Sequence, residues 1–259
     1  MKKAKEKAMV YKRDGKPRKY FTLSFDDGIT QDARVIEILK KYGVNCATFN
    51  INSGLLGVSW AWVGQRLKNP ALTHIRFTRE ELESGIYDGF EIASHSLMHH
   101  SFKMYDADPD MFVHHVMADV HNLAKIFGKA PIGMAWPGGD TEYTEKSIEI
   151  LRDKTPIKYA RAANSHYRFT LPRRFLKWHP TCSIMSDSCL RLAKKFVDAE
   201  CTEDMLFYAW THSYELDNEN AWDKLESLLE IITAHDDIVL VTNGEFYELF
   251  KDEIPRWRK

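Results

Sequence analysis

Residues 20–28 read Tyr-Phe-Thr-Leu-Ser-Phe-Asp-Asp-Gly. The first six are rich in aromatic residues, the pattern of a buried strand, and Asp-Asp-Gly ends it. Two like charges side by side at a strand end repel each other and are hard to desolvate, so the Asp26-Asp27 pair is unusual there. A bound cation removes that cost. Taken alone, the pair also reads as a strand-to-turn cap accepting backbone N–H bonds. The rest of the chain decides between the two.

Helices and strands alternate from this point. Residues 31–42 read as a helix closed by Gly43, and 45–51 (NCATFNI) as the next strand. A long irregular stretch, 52–77, carries Trp60 and Trp62. Thr78-Arg-Glu-Glu81 matches a capping box, 90–94 (FEIAS) a strand, and Asp108-Pro109 opens a long helix ending at Gly128. Strand 132–136 runs into Pro-Gly-Gly. Helix 144–153, strand 158–162, a candidate strand at 175–178, helix 186–200 and strand 206–210 come next. A helix capped by Asn218, strand 238–242 and a final helix capped by Asn243 complete the pattern. Strands separated by helices imply a parallel sheet. The fold class is therefore α/β, a distorted (β/α) barrel with about seven parallel strands in preference to a doubly wound sheet. No composition break or Pro/Ser-rich linker divides the chain, so residues 1–259 read as a single catalytic domain, with 1–19 as a polar leader.

Composition bounds the partners. Thirty-six Lys+Arg against 37 Asp+Glu give a net charge of −1, which offers no strong field for nucleic acid or anionic lipid. No run approaches 18 apolar residues, so no membrane span is expected. The basic start MKKAKEKAMVYKRDGKPRKY lacks the apolar core of a secretory signal. Together with four cysteines that form no C-x-x-C pair, this places the expected location in the cytoplasm. Oligomeric state is not legible.

Three polar clusters fall at strand C-terminal ends, where a barrel carries its chemistry. Asp26 and Asp27 end the first strand. His95 and His99 follow the third, spaced to converge on one metal from a helical turn. His212 follows the strand ending at Trp210. Each alone is most simply structural; three such clusters in one pattern are hard to explain as caps. One Asp and two His make three protein ligands with a position left open, the arrangement of a catalytic site.

With these residues in view the sequence resembles the polysaccharide deacetylase family, carbohydrate esterase family four. The resemblance is carried by LSFDDG (23–28), SHSLMH (94–99), AWPGG (135–139) and WTH (210–212). It implies a metal-dependent hydrolase that removes N-acetyl, or O-acetyl, groups from an acetylated carbohydrate. Asp26 matches the family's general base and His212 its general acid. Asp27, His95 and His99 match its metal ligands, for Zn2+ first, with Co2+, Ni2+ or Fe2+ suiting the same donors. Gly138 matches an oxyanion donor, and Pro137 and Gly139 the Pro and Gly of the R-x-P-x-G motif. Trp136 and Trp210 flank the site, either narrowing an acetyl pocket or filling the barrel. A metal polarises the acetyl carbonyl and lowers the pKa of a bound water towards ~7. Asp26 takes the proton and His212 protonates the leaving amine.

Two departures stand out. Ala135 occupies the place of the family's third-motif Arg, which orients the catalytic Asp, and an Asp-containing fourth motif is not evident around 158–168. Arg161, in the next strand (KYARAA), is the candidate replacement for that Arg; the alternative is an ion pair at the core edge. Ala135 also raises two other readings, an amidohydrolase acting on a non-sugar C–N bond and a glycan-binding barrel without turnover. Among the remaining histidines, His100 reads as support for the triad, and His114, His115 and His121 as a solvated helix face. Tyr214, Glu215 and Asp217 read as substrate contacts or as caps of the helix after His212.

Overall fold

The computed structural model describes residues 15–257. Of the leader read over 1–19, positions 1–14 lie outside the described residues. Lys19 opens β1 (Lys19–Asp27), a strand buried at every position. The Lys19 ammonium is buried too, donating to the carbonyl of Val197 at 2.6 Å. A strand covered on both faces must be apolar or have its polar groups paired: Tyr20, Phe21, Leu23 and Phe25 are apolar or aromatic, and the Thr22 and Ser24 hydroxyls are hydrogen-bonded to Asn243 and Tyr208.

The chain continues through α1 (Asp32–Lys41), β2 (Ala47–Ile51), α2 (Ala61–Arg66), α3 (Arg79–Glu83), β3 (Glu91–Ser94) and α4 (Pro109–Phe127). Then come β4 (Gly133–Ala135), α5 (Glu145–Lys154), β5 (Tyr159–Arg161), β6 (Cys182–Ser183) and α6 (Cys189–Asp198). Finally β7 (Met205–His212) leads to α7 (Ser213–Asn218), α8 (Trp222–Thr233), β8 (Ile238–Leu240) and α9 (Asn243–Phe250). The strand order is β5-β4-β3-β2-β1-β7-β6, every pairing is parallel, and β8 pairs with β1.

One segment closes the sheet. Trp178 bridges Arg161 at the outer edge of β5, and β6, just beyond it, pairs with β7. This makes the expected distorted barrel of parallel strands. β8 covers only residues 19–21 of β1, while β2 takes 23–27. Around the sheet, Val35, Ile38 and Leu39 of α1, Leu192 and Phe196 of α6, and Leu225, Leu228 and Leu229 of α8 form the largest core cluster. Truncating any of these leucines to Ala costs about 2–5 kcal/mol.

Several local expectations change. Residues 175–178 are not a strand: Phe175–Lys177 is a 3-10 turn, and only Trp178 reaches the sheet. β6 has two residues, too few for any periodicity to reveal. Asn218 ends α7 rather than opening the next helix, because Asn220 turns left-handed (φ 48) before α8. Thr242, not Asn243, caps α9 by accepting from the Glu245 N–H. Asn243 turns inward, accepting from Thr22 Oγ1 at 2.9 Å and donating to Tyr208 Oη at 2.5 Å. His114 and His121 are exposed as expected, whereas His115 is buried against the Tyr105 hydroxyl, 2.9 Å away. The capping box at Thr78 and the left-handed Gly128 that ends α4 are both present. Among the described residues no helix is long and apolar enough to cross a membrane.

Candidate active site

β1 delivers both carboxylates to one place by breaking its own pattern. Side chains of successive strand residues point to opposite faces, so Asp26 and Asp27 in a regular strand would diverge. Asp27 instead turns left-handed (φ 79), and Gly28 (φ 64) continues the turn. Asp tolerates that conformation better than most side chains. At Gly28 a Cβ would sit 3.1 Å from the Ile51 side chain, in a backbone geometry that already favours glycine.

Asp26 pairs in register with Asn50 of β2 on one side and His212 of β7 on the other. Asn50 Nδ2 donates to its Oδ1 at 2.8 Å, and Arg161 donates a close, buried hydrogen bond to its Oδ2. Burial pushes the Asp26 carboxyl up, but Arg161, His95 and His212 outweigh it and hold it below the usual value. Arg161 pairs in register with Ala135. Asp26 thus receives its guanidinium from the position on β5 that pairs with Ala135 of β4. Trp210 covers it, with the Arg161 carbon 4.1 Å from the ring centroid.

Asp27 is held from elsewhere. His74 Nε2 donates to Oδ2 at 3.0 Å and Arg76 Nη2 to Oδ1 at 3.2 Å, all three side chains being buried. Arg76 packs 3.8 Å from the Trp60 ring centroid, and Trp60 stacks on His74. These three residues come from the stretch 52–77. It carries α2 and then folds back, with Ile75 bridging Ser59 and Arg76 bridging Ile29 in antiparallel fashion. Burial raises the Asp27 carboxyl, yet the His74 hydrogen bond and His212, His99 and His95 bring it well below the usual value.

Opposite Asp27 stand His95 and His99, each with Nε2 within 3.8–3.9 Å of Asp27 Oδ1. Potential ligand atoms of the three residues all lie within 4.8 Å of one another. A helical turn does not bring the two histidines together. After β3 the chain is irregular, and left-handed Ser96 (φ 64) and His99 (φ 53) fold it back. His95 Nδ1 donates to the Ala135 carbonyl at 3.0 Å, which leaves Nε2 as a buried lone pair without a partner among the described residues. A metal-ligating histidine is normally oriented by just such a second hydrogen bond. Burial lowers the pKa of both rings, that of His99 to about 4, so both are neutral and fit to bind a cation. The donor set and the orphaned His95 nitrogen suit a divalent metal.

His212 ends β7 with Nε2 3.9 Å from Asp26 Oδ2. Behind it Glu215 caps α7, accepting from the His212 backbone N–H at 3.0 Å, and faces His212 Nδ1 at 3.4 Å. Burial disfavours charge on His212, but Glu215, Asp27 and Asp26 raise its pKa to about 9. Glu215, despite its burial, is lowered by His212 to about 2. The Glu215 carboxylate behind the ring thus favours its protonated form.

These groups open on a cavity of about 240 Å³. Of the four residues read as oxyanion or substrate groups, Trp136, Gly138 and Trp210 line it, and Pro137 sits buried behind them. Trp136 also fills the core, stacked on Tyr143 and donating to the Leu176 carbonyl at 3.1 Å. Trp62, on α2, lines the rim together with Arg66 and Tyr214. His100 is bonded to the Tyr105 hydroxyl at 2.6 Å. His74, Arg76 and Asn50 are the site residues that the strand-end reading overlooks. Their signal was alternation: His74 and Arg76 flank the exposed Ile75, so an extended segment turns both toward one side.

A family model described as polysaccharide deacetylase matches residues 13–157. No curated protein matches the chain. Among solved structures, a Mycobacterium smegmatis chain described as a polysaccharide deacetylase is similar over 95% of this chain and 96% of its own, at 13% identity and TM-score 0.60. Peptidoglycan deacetylase PdaC from Bacillus subtilis, a D285S mutant, is similar over 91% and 93%, at 18% identity and TM-score 0.52. Deacetylase PplD from Streptococcus pyogenes, in complex with acetate, shares 22% identity at TM-score 0.43 over 56% of each chain. The chain thus spans little more than half the length of that relative. At these identities the likenesses concern the fold.

Proposed function

The chain belongs to the polysaccharide deacetylase family, and we propose that it is a metal-dependent hydrolase of N-acetyl, or O-acetyl, groups on a carbohydrate. The observation that carries this reading is the convergence, in one cavity, of Asp26, His212 and the Asp27–His95–His99 trio. We assign metal binding to the trio, for Zn2+ first. The bound metal would supply Lewis-acid polarisation of the acetyl carbonyl and acidify a water.

The rest is done by the chain's own groups. Asp26, kept ionised and fixed by Arg161 and Asn50, accepts the proton of the attacking water as general base. His212, positively charged at neutral pH, donates its proton to the leaving amine as general acid. The Gly138 backbone N–H is assigned to the developing oxyanion. Trp136 and Trp210 narrow the space around the acetyl group and exclude water. Ala135 raised two other readings, a non-sugar amidohydrolase and a binding barrel. The Arg161–Asp26 pair supports the catalytic one, because a protein selected only for binding has no use for a positioned, ionised carboxylate.

The test is metal content together with acetate release from a panel of acetylated sugars, comparing the native protein with Asp26→Asn. About one metal per chain, and acetate release that the substitution abolishes, is the expected result. Stoichiometric metal with bound sugar and no acetate from any member of the panel would refute the assignment.

A further inference from the structure

We infer that the sugar this site takes carries an anionic substituent, a phosphate or a carboxylate, and that Arg66 receives it. The acetyl group in this statement rests on the deacetylase reading; the anion rests on the cavity alone. Three arginines serve the cavity. Arg161 is committed to Asp26 and Arg76 to Asp27. Arg66 lines the rim, is exposed, and has no carboxylate partner among the described residues. The acidic side chains in the cavity wall are Asp26 and Asp27, each already paired with its own cation. The cavity therefore presents a guanidinium that neither lining carboxylate engages.

Its placement gives the ligand a shape. Trp62 stands four residues before Arg66 on α2, so the two side chains share one helix face. Trp62 is 48% exposed and lines the same cavity. A sugar ring lying on that indole presents its substituents to the guanidinium beside it. The planar fork of Arg matches the oxygens of a phosphate or carboxylate in bidentate fashion. Tyr214 lines the same cavity as Arg66 and Trp62. A volume of about 240 Å³ falls below the roughly 300–1,000 Å³ of sites that enclose drug-sized ligands. That suits a single acetylated ring with one charged substituent better than several rings of a polymer.

The experiment compares N-acetylglucosamine, N-acetylglucosamine 6-phosphate and N-acetylmuramic acid as substrates of the metal-loaded native protein, Arg66→Ala, Arg66→Lys and a control, Lys68→Ala. Lys68 is an exposed cation near the same loop that does not line the cavity. The native protein should prefer at least one anionic sugar by about tenfold in kcat/KM, the worth of one charge-assisted contact. The anion preferred tells phosphate from carboxylate. Arg66→Ala should lose about tenfold more on that sugar than on the neutral one, through KM. Arg66→Lys should keep part of the preference, Lys68→Ala all of it, and added salt should narrow it. Equal rates for neutral and anionic sugars, or an Arg66→Ala loss equal for both, overturns the inference and leaves the deacetylase reading standing. If the native protein releases acetate from none of them, calorimetric binding of the same sugars decides. Arg66-dependent binding of an anionic sugar then keeps the inference and fails the deacetylase reading, and absence of that preference overturns both.

Discussion

Asp26 and Asp27 are sequence neighbours, both buried, and each faces an arginine covered by a tryptophan: Arg161 beneath Trp210, and Arg76 beneath Trp60. They differ in where that support originates. Asp26 is held by Asn50 and Arg161, which sit on β2 and β5. Asp27 is held by His74 and Arg76, which arrive on the excursion 52–77. The sheet end gives Asp26 one fixed orientation, as a group that moves a proton requires. Asp27 faces two neutral histidines instead, and its counter-charge is carried by a segment outside the barrel. Two identical side chains are thus neutralised from different walls, and the proposed function gives them different tasks.

The largest effect should come from removing each carboxylate. Asp26→Asn should lower acetate release by about 10²–10⁴-fold with metal content unchanged, whereas Asp27→Asn should lose metal as well as activity. Metal analysis and acetate assays on the two variants check this; equal metal loss from both would erase the distinction.

The arginines sharpen it. Removing one partner of a buried pair costs about 3–5 kcal/mol, so Arg161→Ala and Arg76→Ala should both unfold at lower denaturant at neutral pH. Because both carboxylates sit below their usual pKa, the stability each pair contributes is full above the ordinary carboxylate range. It is lost as pH falls through the lowered folded values. The deficit of either variant should therefore shrink in acid. Zinc should restore part of the melting temperature of Arg76→Ala, since Asp27 regains a cation, and nothing for Arg161→Ala. Matching rescue of both would place the metal differently.

The smallest effect belongs to Glu215→Gln. If His212 is the general acid, activity is lost as pH rises through its value of about 9. Replacing the carboxylate should move that alkaline limb of kcat/KM down toward the ordinary imidazole range near 6.5, while the rate on the acid side changes little. Gln at this position still caps α7, so the fold should persist. An unmoved limb would detach His212 from the profile.

Legibility in the sequence followed the same division. Asp26, Asp27, His95, His99, Arg161 and His212 lie at or just past strand ends, and strands announce themselves by apolar runs. His74 and Arg76 lie in a stretch without a sustained period, where a three-residue alternation shows that the two share a side but not which side is inward. Even α2, six residues long, is too short to show a helical repeat. The convergence of His95 with His99 was legible but not its cause. A four-residue spacing suggested a helical turn, whereas left-handed Ser96 and His99 achieve it. Glu215 was legible as a cap; that the same carboxylate also charges His212 needed the fold.

The pairing of Ala135 with Arg161 bears on how such a site can change over generations. Neighbouring positions on adjacent parallel strands lie about 4.8 Å apart, within the reach of one arginine side chain. A lineage that gained an arginine on β5 before losing the one on β4 would never have passed through a protein lacking the guanidinium. What such a route would keep is a charge at a point in space rather than a letter in a motif. The same geometry should work from the other strand: Ala135→Arg in an Arg161→Ala background should bring a cation back to Asp26 from β4.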